Sequence, residues 1–332
     1  MKILSLNVRG FGVKGKFGWV KGICLSERPF IAAFQETKCR HLEDQWVQNL
    51  WGSDEFGYVQ MEATGNSGGL LLVWDTNRFA VSKAIGNKYF LAIRGNWLGS
   101  NHDSVIVNVY GSHNNADKKE LWCSLDNLLR EVDTSWVVCG DFNEVRFNSE
   151  RLNCRLHRSR AARFNDFIAR NNLIDIPVNG KRYTHISDDG TKFSRLDRFL
   201  VNDKFMSLWD DLSIVALDRS ESDHCPLILR DKVIDYGPKP FKVFDEWFCK
   251  PGVELVIKEA WVKEVRGSRM DCLFRDRLKN VKQGLKSWSK VVFGGLDAEV
   301  KNLKEKAAVL EAKAETGNIR DSERLVWLET RK

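Results

Sequence analysis

The chain has 332 residues and a formal net charge of +7, with 43% hydrophobic and 29% charged residues, which is an ordinary globular balance. Its eight cysteines are scattered without a Cys-x-x-Cys pair, which argues against a disulfide framework or a zinc site. The N-terminal apolar stretch is too short for a secretory signal, and no run approaches the ~20 apolar residues of a membrane helix. We therefore expect an intracellular protein, nuclear or cytoplasmic, that does not bind a membrane.

Apolar runs alternate with amphipathic segments over the first 230 residues. Runs rich in Val, Ile and Leu predict strands over Lys2–Val8, Phe30–Gln35, Gly69–Trp74, Phe90–Arg94, Val105–Tyr110, Trp136–Gly140, Arg195–Val201 and Ile214–Leu217. Apolar residues at helical spacing predict helices over Lys16–Ser26, Asp44–Trp51, Lys118–Glu131 and Ser159–Asn171, with Ser159 as the N-cap of the last. This alternation predicts an α/β sandwich of two packed sheets covered by helices.

The sequence changes character near Lys232. Pro238 and Pro240 mark a linker, and strand patterns stop after Lys250. The predicted organisation is a globular domain over 1–231, a linker over 232–250 and a helical basic extension over 251–332. The stretch from Arg266 to Lys290 has eight basic and two acidic residues, so it either contacts phosphates or forms a solvated helix face.

A short heptad pattern follows the basic stretch. It consists of Leu296, Val300, Leu303, Ala307, Leu310 and Ala314. Because it spans under three repeats, we favour packing against another helix of the same chain over a coiled coil.

Polar residues stand at the ends of the predicted strands or shortly after them. They are Asn7, Glu36, Tyr110, Asp141, Asn143, Asp197, Asp223 and His224, the last two beyond the final predicted strand. Each alone has a structural explanation; Asp and Asn after a strand, for example, usually form a turn. Together they predict a convergent site.

The same residues carry a resemblance. The series Leu-Asn-Val-Arg-Gly, Gln-Glu-Thr, Val-Tyr-Gly, Gly-Asp-Phe-Asn, Arg-Leu-Asp-Arg-Phe and Ser-Asp-His resembles the endonuclease/exonuclease/phosphatase superfamily, in its order, over residues 1 to about 230. The resemblance implies a four-layered sandwich of two mainly antiparallel sheets flanked by helices. It also implies metal-dependent hydrolysis of a phosphodiester.

Such chemistry calls for a hard divalent cation, Mg²⁺ with Mn²⁺ as the alternative, bound by oxygen ligands. Glu36 is expected to be the main ligand, with Asn7 beside it. Asp223 would complete the metal shell or form a second, weaker site, and one or two metals remain open.

The resemblance also assigns the remaining roles. Asp141 would orient and deprotonate the attacking water, and Asn143 would bind a phosphate oxygen. His224 would donate to a phosphate oxygen or act as the base, and Asp197 would hold it in its charged form. Tyr110 would contact the phosphate or stabilise the leaving group.

Three positions depart from the family pattern. Arg9 stands where repair enzymes tend to carry an acid, which weakens a second metal position. His113 replaces a frequent Asn, and His185 replaces a Trp that retroelement members often have.

Short sequence motifs indicate which phosphodiester is the substrate. Four segments are similar to the endonucleases of plant-type LINE retroelements: Asn7–Gly10, Gly69–Trp74, Gly140–Glu144 and Leu173–Asp175. The tail, from Gly237–Lys242 to Trp288 and Phe293-Gly294, resembles the region that joins endonuclease to reverse transcriptase. This implies nicking of DNA to leave a 3′-hydroxyl, by a chain truncated before the polymerase, with the DNA backbone as partner and RNA as a second possibility. Oligomeric state is left open.

Two alternatives stay open. One is a catalytically silent remnant that binds nucleic acid, which loss of the polymerase favours and the intact set of eight residues opposes. The other is a nuclease that cuts at abasic sites, against which Arg9 argues. A phosphoinositide phosphatase has the least support.

Overall fold

The computed structural model describes residues 1–65, 67–100, 102–209, 211–231, 241–265 and 269–330, without the side chains of 295–298 and 330. The chain divides into two compact units, Met1–Val233 with Leu310–Lys332, and Ile234–Val309. The predicted linker prolines, Pro238 and Pro240, lie outside the described residues. The predicted domain boundaries remain a prediction.

The strands, numbered in chain order, belong to the first unit. They are β1 Lys2–Asn7, β2 Ile31–Gln35, β3 Phe56–Thr64, β4 Ser67–Asp75, β5 Phe79–Asn87, β6 Phe90–Trp97, β7 Asp103–Tyr110, β8 Ser135–Asp141, β9 Arg151–Leu152, β10 Ile174–Asp175, β11 Val178–Asn179, β12 His185–Ile186, β13 Phe193–Ser194, β14 Asp197–Val201, β15 Ser213–Ala216 and β16 Leu227–Arg230.

These strands form two large sheets and a small one. The first large sheet has the order β11-β15-β16-β1-β2-β4-β3, and the second has the order β10-β14-β8-β7-β6-β5. The small sheet is β12-β13-β9. The pairs β1/β2, β7/β8 and β11/β15 are parallel and the other pairs are antiparallel.

The outer faces of the two large sheets are covered by α1 Lys16–Glu27, α2 Asp44–Trp51, α3 Asn115–Glu131 and α4 Arg158–Arg170. The short helix α5 Asp203–Leu208 contributes Phe205 to the apolar cluster between the sheets. Three apolar clusters separate four layers because alternate residues of each strand face opposite ways. One lies under α1 and α2, one between the sheets, and one under α3 and α4. The predicted four-layered sandwich is confirmed.

The predicted helices are present, and their apolar stripes are buried. Leu121, Leu125 and Leu128 of α3 face the core. The prediction for Ser159 was wrong: α4 begins at Arg158, with His157 at the N-cap position and no side-chain cap. Ser159 therefore lies within the first turn.

Eight strands escaped the sequence analysis: β3, β5, β16 and the five strands β9 to β13, which have only two residues each. The strands β3 and β5 are edge strands with mostly half-exposed or exposed residues, so their apolar pattern is weak. The strand β16 has four residues and follows Pro226. Asp223 and His224 therefore precede the last strand instead of following it.

The remaining helices are α6 Asp245–Phe248, α7 Val253–Val262, α8 Met270–Glu315 and α9 Asp321–Thr330. The basic stretch, from residue 270 onward, is the first part of α8. In the heptad pattern, Val300 and Leu303 are 42% and 46% exposed, whereas Ala314 is buried. Among the described residues, no helix is both long enough and apolar enough to cross a membrane.

Candidate active site

Strand ends place polar side chains at one edge of the two large sheets. Asn7 ends β1, and Glu36 follows the parallel neighbour β2. In the other sheet, Tyr110 at the end of β7 pairs with Asp141 at the end of β8, and Asp141 pairs in turn with Asp197 at the start of β14. The C-terminal ends of the parallel pairs β1/β2 and β7/β8 therefore lie at the same edge of the sandwich.

Asp141 lies at the centre of this edge and is only 1% exposed. Its Oδ2 accepts hydrogen bonds from Asn7 Nδ2 at 2.9 Å and from Asn143 Nδ2 at 3.1 Å. Its Oδ1 accepts one from the main-chain N–H of Asn143 at 2.8 Å. The bond from Asn7 joins the two sheets, and three donors fix the orientation of the Asp141 carboxylate.

His224 stands between two carboxylates. Its Nδ1 lies 2.9 and 3.1 Å from the two carboxylate oxygens of Asp197, and its Nε2 lies 3.8 Å from Oδ2 of Asp141. Burial alone would lower the pKa of His224, but the charges of Asp197 and Asp141 outweigh it and raise that pKa to about 9. Burial raises the pKa of Asp141 from its ordinary value, against the charge of His224. The imidazole is therefore oriented by Asp197 and held in its charged form.

Asp223 lies beside an arginine and a histidine. Its Oδ2 lies 2.9 Å from Nη1 of Arg9 and 3.6 Å from Nε2 of His185. Burial alone would raise the pKa of Asp223, but the hydrogen bond from His185 and the charges of His224, His185 and Arg9 hold it well below its usual range. Arg9 also binds Asp188, with an Nη2–Oδ2 distance of 3.0 Å. Two of the three departures from the family pattern thus surround Asp223, and the third, His113, is exposed.

Several site residues have a backbone conformation that side chains disfavour. Glu36 has a φ of 54°, Arg9 of 51°, Lys38 of 56° and Asn143 of 48°. A left-handed conformation costs a non-glycine residue about 1 kcal/mol or more. Half of the eight non-glycine residues with positive φ in the described chain lie here, as expected where function constrains the backbone.

Tyr110 and Glu36 complete the arrangement. Burial raises the pKa of Tyr110, and the negative charges of Glu36, Asp141 and Asp223 raise it further. Tyr110 is therefore a neutral phenol surrounded by three carboxylates. The side chain of Glu36 is 17% exposed and lies 3.2 Å from Nζ of Lys38.

All eight residues predicted from the sequence therefore gather at one edge of the sheets. A profile of the Endonuclease/Exonuclease/phosphatase family matches residues 4–224, a range that includes all of them. The chain belongs to this family. No curated protein gives a significant sequence match.

Solved structures share the fold of this family member. An AP endonuclease from Leishmania major has a TM-score of 0.57 and 17% identity, over 69% of this chain and 86% of its own. A 3′ phosphatase from Neisseria, bound to product DNA hairpin, has a TM-score of 0.56 and 18% identity, over 70% and 100%. The endonuclease domain of TRAS1, a telomere-specific non-LTR retrotransposon, has a TM-score of 0.54 and 13% identity, over 70% and 97%. At these identities the likeness concerns the fold.

The nucleases of this family generally depend on a divalent metal, and the donor set of this member fits one. Glu36, Asn7 and Asp223 offer hard oxygen ligands. Among the described hydrogen bonds, Asn7 Oδ1 accepts only the main-chain N–H of Arg9, at 2.9 Å, so a lone pair stays available. The contact of Glu36 is with a flexible lysine, which can move aside.

Ligand atoms also converge to within 4.8 Å in two groups that share His224. One group adds Asp141 and Asp197, and the other adds His185 and Asp223. In the first group, the hydrogen bonds between His224 and Asp197 already occupy the ligand atoms. Neither group contains Glu36, so the metal set of Glu36, Asn7 and Asp223 remains a prediction.

Two supporting residues were missed in the sequence analysis. Asn108 is buried between the sheets; it accepts a bond from Gln35 Nε2 at 2.6 Å and donates to main-chain oxygens of the facing sheet. Lys118, also buried, donates to the main-chain oxygen of Asn143 and, at 2.7 Å, to Glu144. A polar residue inside an apolar strand, or a lysine on the apolar side of a helix, was the available signal.

Proposed function

We propose that this chain is a divalent-metal-dependent endonuclease that hydrolyses a phosphodiester of DNA and leaves a 3′-hydroxyl. Mg²⁺ is the proposed ion, with Mn²⁺ as the alternative. The observation that carries the proposal is the buried chain of contacts from Asn7 and Asn143 through Asp141 to His224 and Asp197.

That chain of contacts suits in-line attack of water on a phosphate. Asp141 is held by three donors with one oxygen lightly bonded, so it is placed to orient water and take its proton. His224, as imidazolium, is placed to donate from Nε2 to a phosphate oxygen because Asp197 fixes its other nitrogen. A divalent cation held by Glu36, Asn7 and Asp223 would neutralise charge on the phosphate and on the departing oxygen. Tyr110 is a neutral donor for the same oxygens.

The structural neighbours include an AP endonuclease, a 3′ phosphatase bound to a DNA hairpin and a retrotransposon endonuclease domain, which supports nucleic acid as the substrate. The local similarity to plant LINE endonucleases supports a retroelement origin, and action on chromosomal DNA would place the protein in the nucleus. The pairing of Arg9 with Asp223 and Asp188 sets this site apart from an abasic-site enzyme with an acid at that position.

Nicking of supercoiled plasmid tests the proposal. The purified full chain is incubated with Mg²⁺ or with EDTA, beside Asp141→Ala and His224→Ala variants. Asp133→Ala is the matched control, because its side chain is 94% exposed and it precedes the start of β8, at the opposite end of that strand from Asp141. Extension of the nick by a polymerase, without prior phosphatase treatment, reports a free 3′-hydroxyl.

Relaxed circles that require Mg²⁺, persist in Asp133→Ala and vanish in both site variants are the expected result. A folded protein that retards DNA in a gel but does not nick it would favour the silent remnant. Cleavage restricted to a duplex with one abasic residue would favour the repair-type alternative. Cleavage of RNA but not of DNA would show that RNA is the substrate.

A further inference from the structure

The end of the chain belongs to the same compact unit as the candidate active site. Residues Leu310–Lys332 join Met1–Val233 in that unit, although Ile234–Val309 lie between them in sequence. Two large polar or aromatic side chains of this segment are buried, Glu311 at 8% and Trp327 at 1% exposure. The segment is therefore integrated into the packing of the unit.

Glu311 forms ion pairs with a lysine and an arginine from the part of the first unit that precedes residue 234. Its Oε2 lies 3.1 Å from Nζ of Lys181, and its Oε1 lies 3.1 Å from Nε of Arg219. The side chains of Arg219 and Lys181 are 1% and 16% exposed, so water screens these pairs poorly. Loss of the Glu311 charge would leave a buried guanidinium short of a counter-charge.

Arg219 also contacts the two segments that carry His185 and His224. Its Nη2 donates to the main-chain oxygen of Tyr183 at 3.0 Å and lies 3.0 Å from Sγ of Cys225, the neighbour of His224. The two segments are also joined through the main chain, since Cys225 N–H donates to the oxygen of Thr184 at 2.8 Å. Arg219 therefore fastens the segment before His185 to the segment that contains His224.

Trp327 provides a second contact between the segment 310–330 and the rest of the unit. Its ring stacks on Phe193 with centroids 6.2 Å apart and an interplanar angle of 9°. Phe193 lies opposite Ile186 in the β12–β13 hairpin, whose first strand begins at His185. A methyl group added at Gly190, in the loop of this hairpin, would come within 3.3 Å of Trp327 and Leu328. The helix α9 thus covers the hairpin closely.

We propose that Glu311 and Trp327 are positioning residues, through which the segment 310–330 braces the hairpin of His185 and the loop of Asp223 and His224. Glu311 acts through Arg219 and Lys181, and Trp327 acts through Phe193. The catalytic consequence rests on the proposed function, whereas the bracing itself does not.

Hydrogen exchange on the full chain tests the bracing independently of activity. The variant Glu311→Gln keeps the size of the side chain and removes its charge. Glu305→Gln is the matched control on the same helix, where the side chain is 68% exposed. Loss of a buried charge-assisted contact predicts about tenfold faster exchange in peptides over 183–194 and 217–226, with β8 unchanged. Trp327→Phe should accelerate exchange over 185–194.

Nicking rates of the same proteins test the catalytic consequence. Glu311→Gln should lower kcat about tenfold with KM nearly unchanged, because site geometry is lost while DNA contacts remain. Glu305→Gln should match the parent chain in both measurements. Unchanged exchange in Glu311→Gln, or acceleration spread evenly over the unit, would overturn the bracing. Accelerated exchange with an unaltered kcat would overturn the positioning role. A parent chain that does not nick would refute the proposed function, and exchange alone would then decide the bracing.

Discussion

A buried ion-pair network beside the site gives the most quantitative prediction. The side chain of Arg198 is fully buried; it binds Glu150 Oε1 at 3.0 Å and Asp175 Oδ2 at 2.7 Å. Arg195 contacts both carboxylates, and the guanidinium of Arg146 contacts Asp175. The change Glu150→Gln would leave three guanidinium groups with a single carboxylate. Removing one partner of a buried pair costs about 3–5 kcal/mol, because the remaining charge stays desolvated.

Thermal unfolding in the presence of EDTA measures this cost. For a unit of this size, 1 kcal/mol corresponds to about 2–4 °C, so a loss of about 4 kcal/mol should lower Tm by about 8–16 °C. The matched control is Asp133→Asn, which removes a carboxylate that is 94% exposed and 2.6 Å from Lys204. Exposed pairs contribute little, so its Tm should stay within about 2 °C of the parent chain.

Equal, small shifts in both variants would refute the reasoning. They would mean that water enters the network or that the neighbouring arginines move apart at little cost. A large shift in Glu150→Gln alone would show that Arg198, which follows Asp197 in β14, depends on buried counter-charges.

Three further predictions concern the fold, the site and the basic helix. Gly140→Ala should give no folded protein in a soluble-expression and circular-dichroism comparison, since its added carbon would lie 2.1 Å from the main-chain oxygen of Val109; a folded variant would contradict this. Lys118→Met should lower kcat for nicking about tenfold with KM unchanged, because it frees the main-chain oxygen of Asn143, and an unaltered kcat would assign Lys118 to folding alone. If the exposed basic face of α8 contacts phosphates, neutralising three of its lysines should reduce the salt slope of DNA binding in gel retardation by about 2.7, and an unchanged slope would identify a solvated face. The three changes are Lys282→Gln, Lys286→Gln and Lys290→Gln.

The sequence was informative where a local pattern coincided with burial. The run that forms β1, the helix α2 and the order of Asn7, Asp141 and His224 along the chain could all be recognised without coordinates. Strand pairing then explains why residues far apart in sequence meet, since the parallel pairs β1/β2 and β7/β8 end at the same edge. The roles assigned to the eight site residues remain predictions, although the structure brings them together.

Other features depend on tertiary contacts that no local pattern encodes. Edge strands such as β5 lack a continuous apolar run. Glu311 is one of many glutamates on a charged helix, and only its burial against Arg219 distinguishes it. Arg198 follows the predicted Asp197, yet nothing in the sequence reveals that its charge faces two carboxylates inside the unit. Such residues are identified by their partners.

The pairing of β1 with β16 bears on the order of events during synthesis. Lys2 lies opposite Arg230 and Ser5 opposite Leu227, so one side of β1 stays without its partner strand until the ribosome has added more than 220 further residues. Contacts this distant in sequence form late, because loop closure must precede them. Asn7 lies before β2 in the chain, and Asp223 and His224 come just before β16. The candidate site therefore stays incomplete during synthesis until the segment that ends in β16 has been added, so its assembly is tied to the last strand of the sheets.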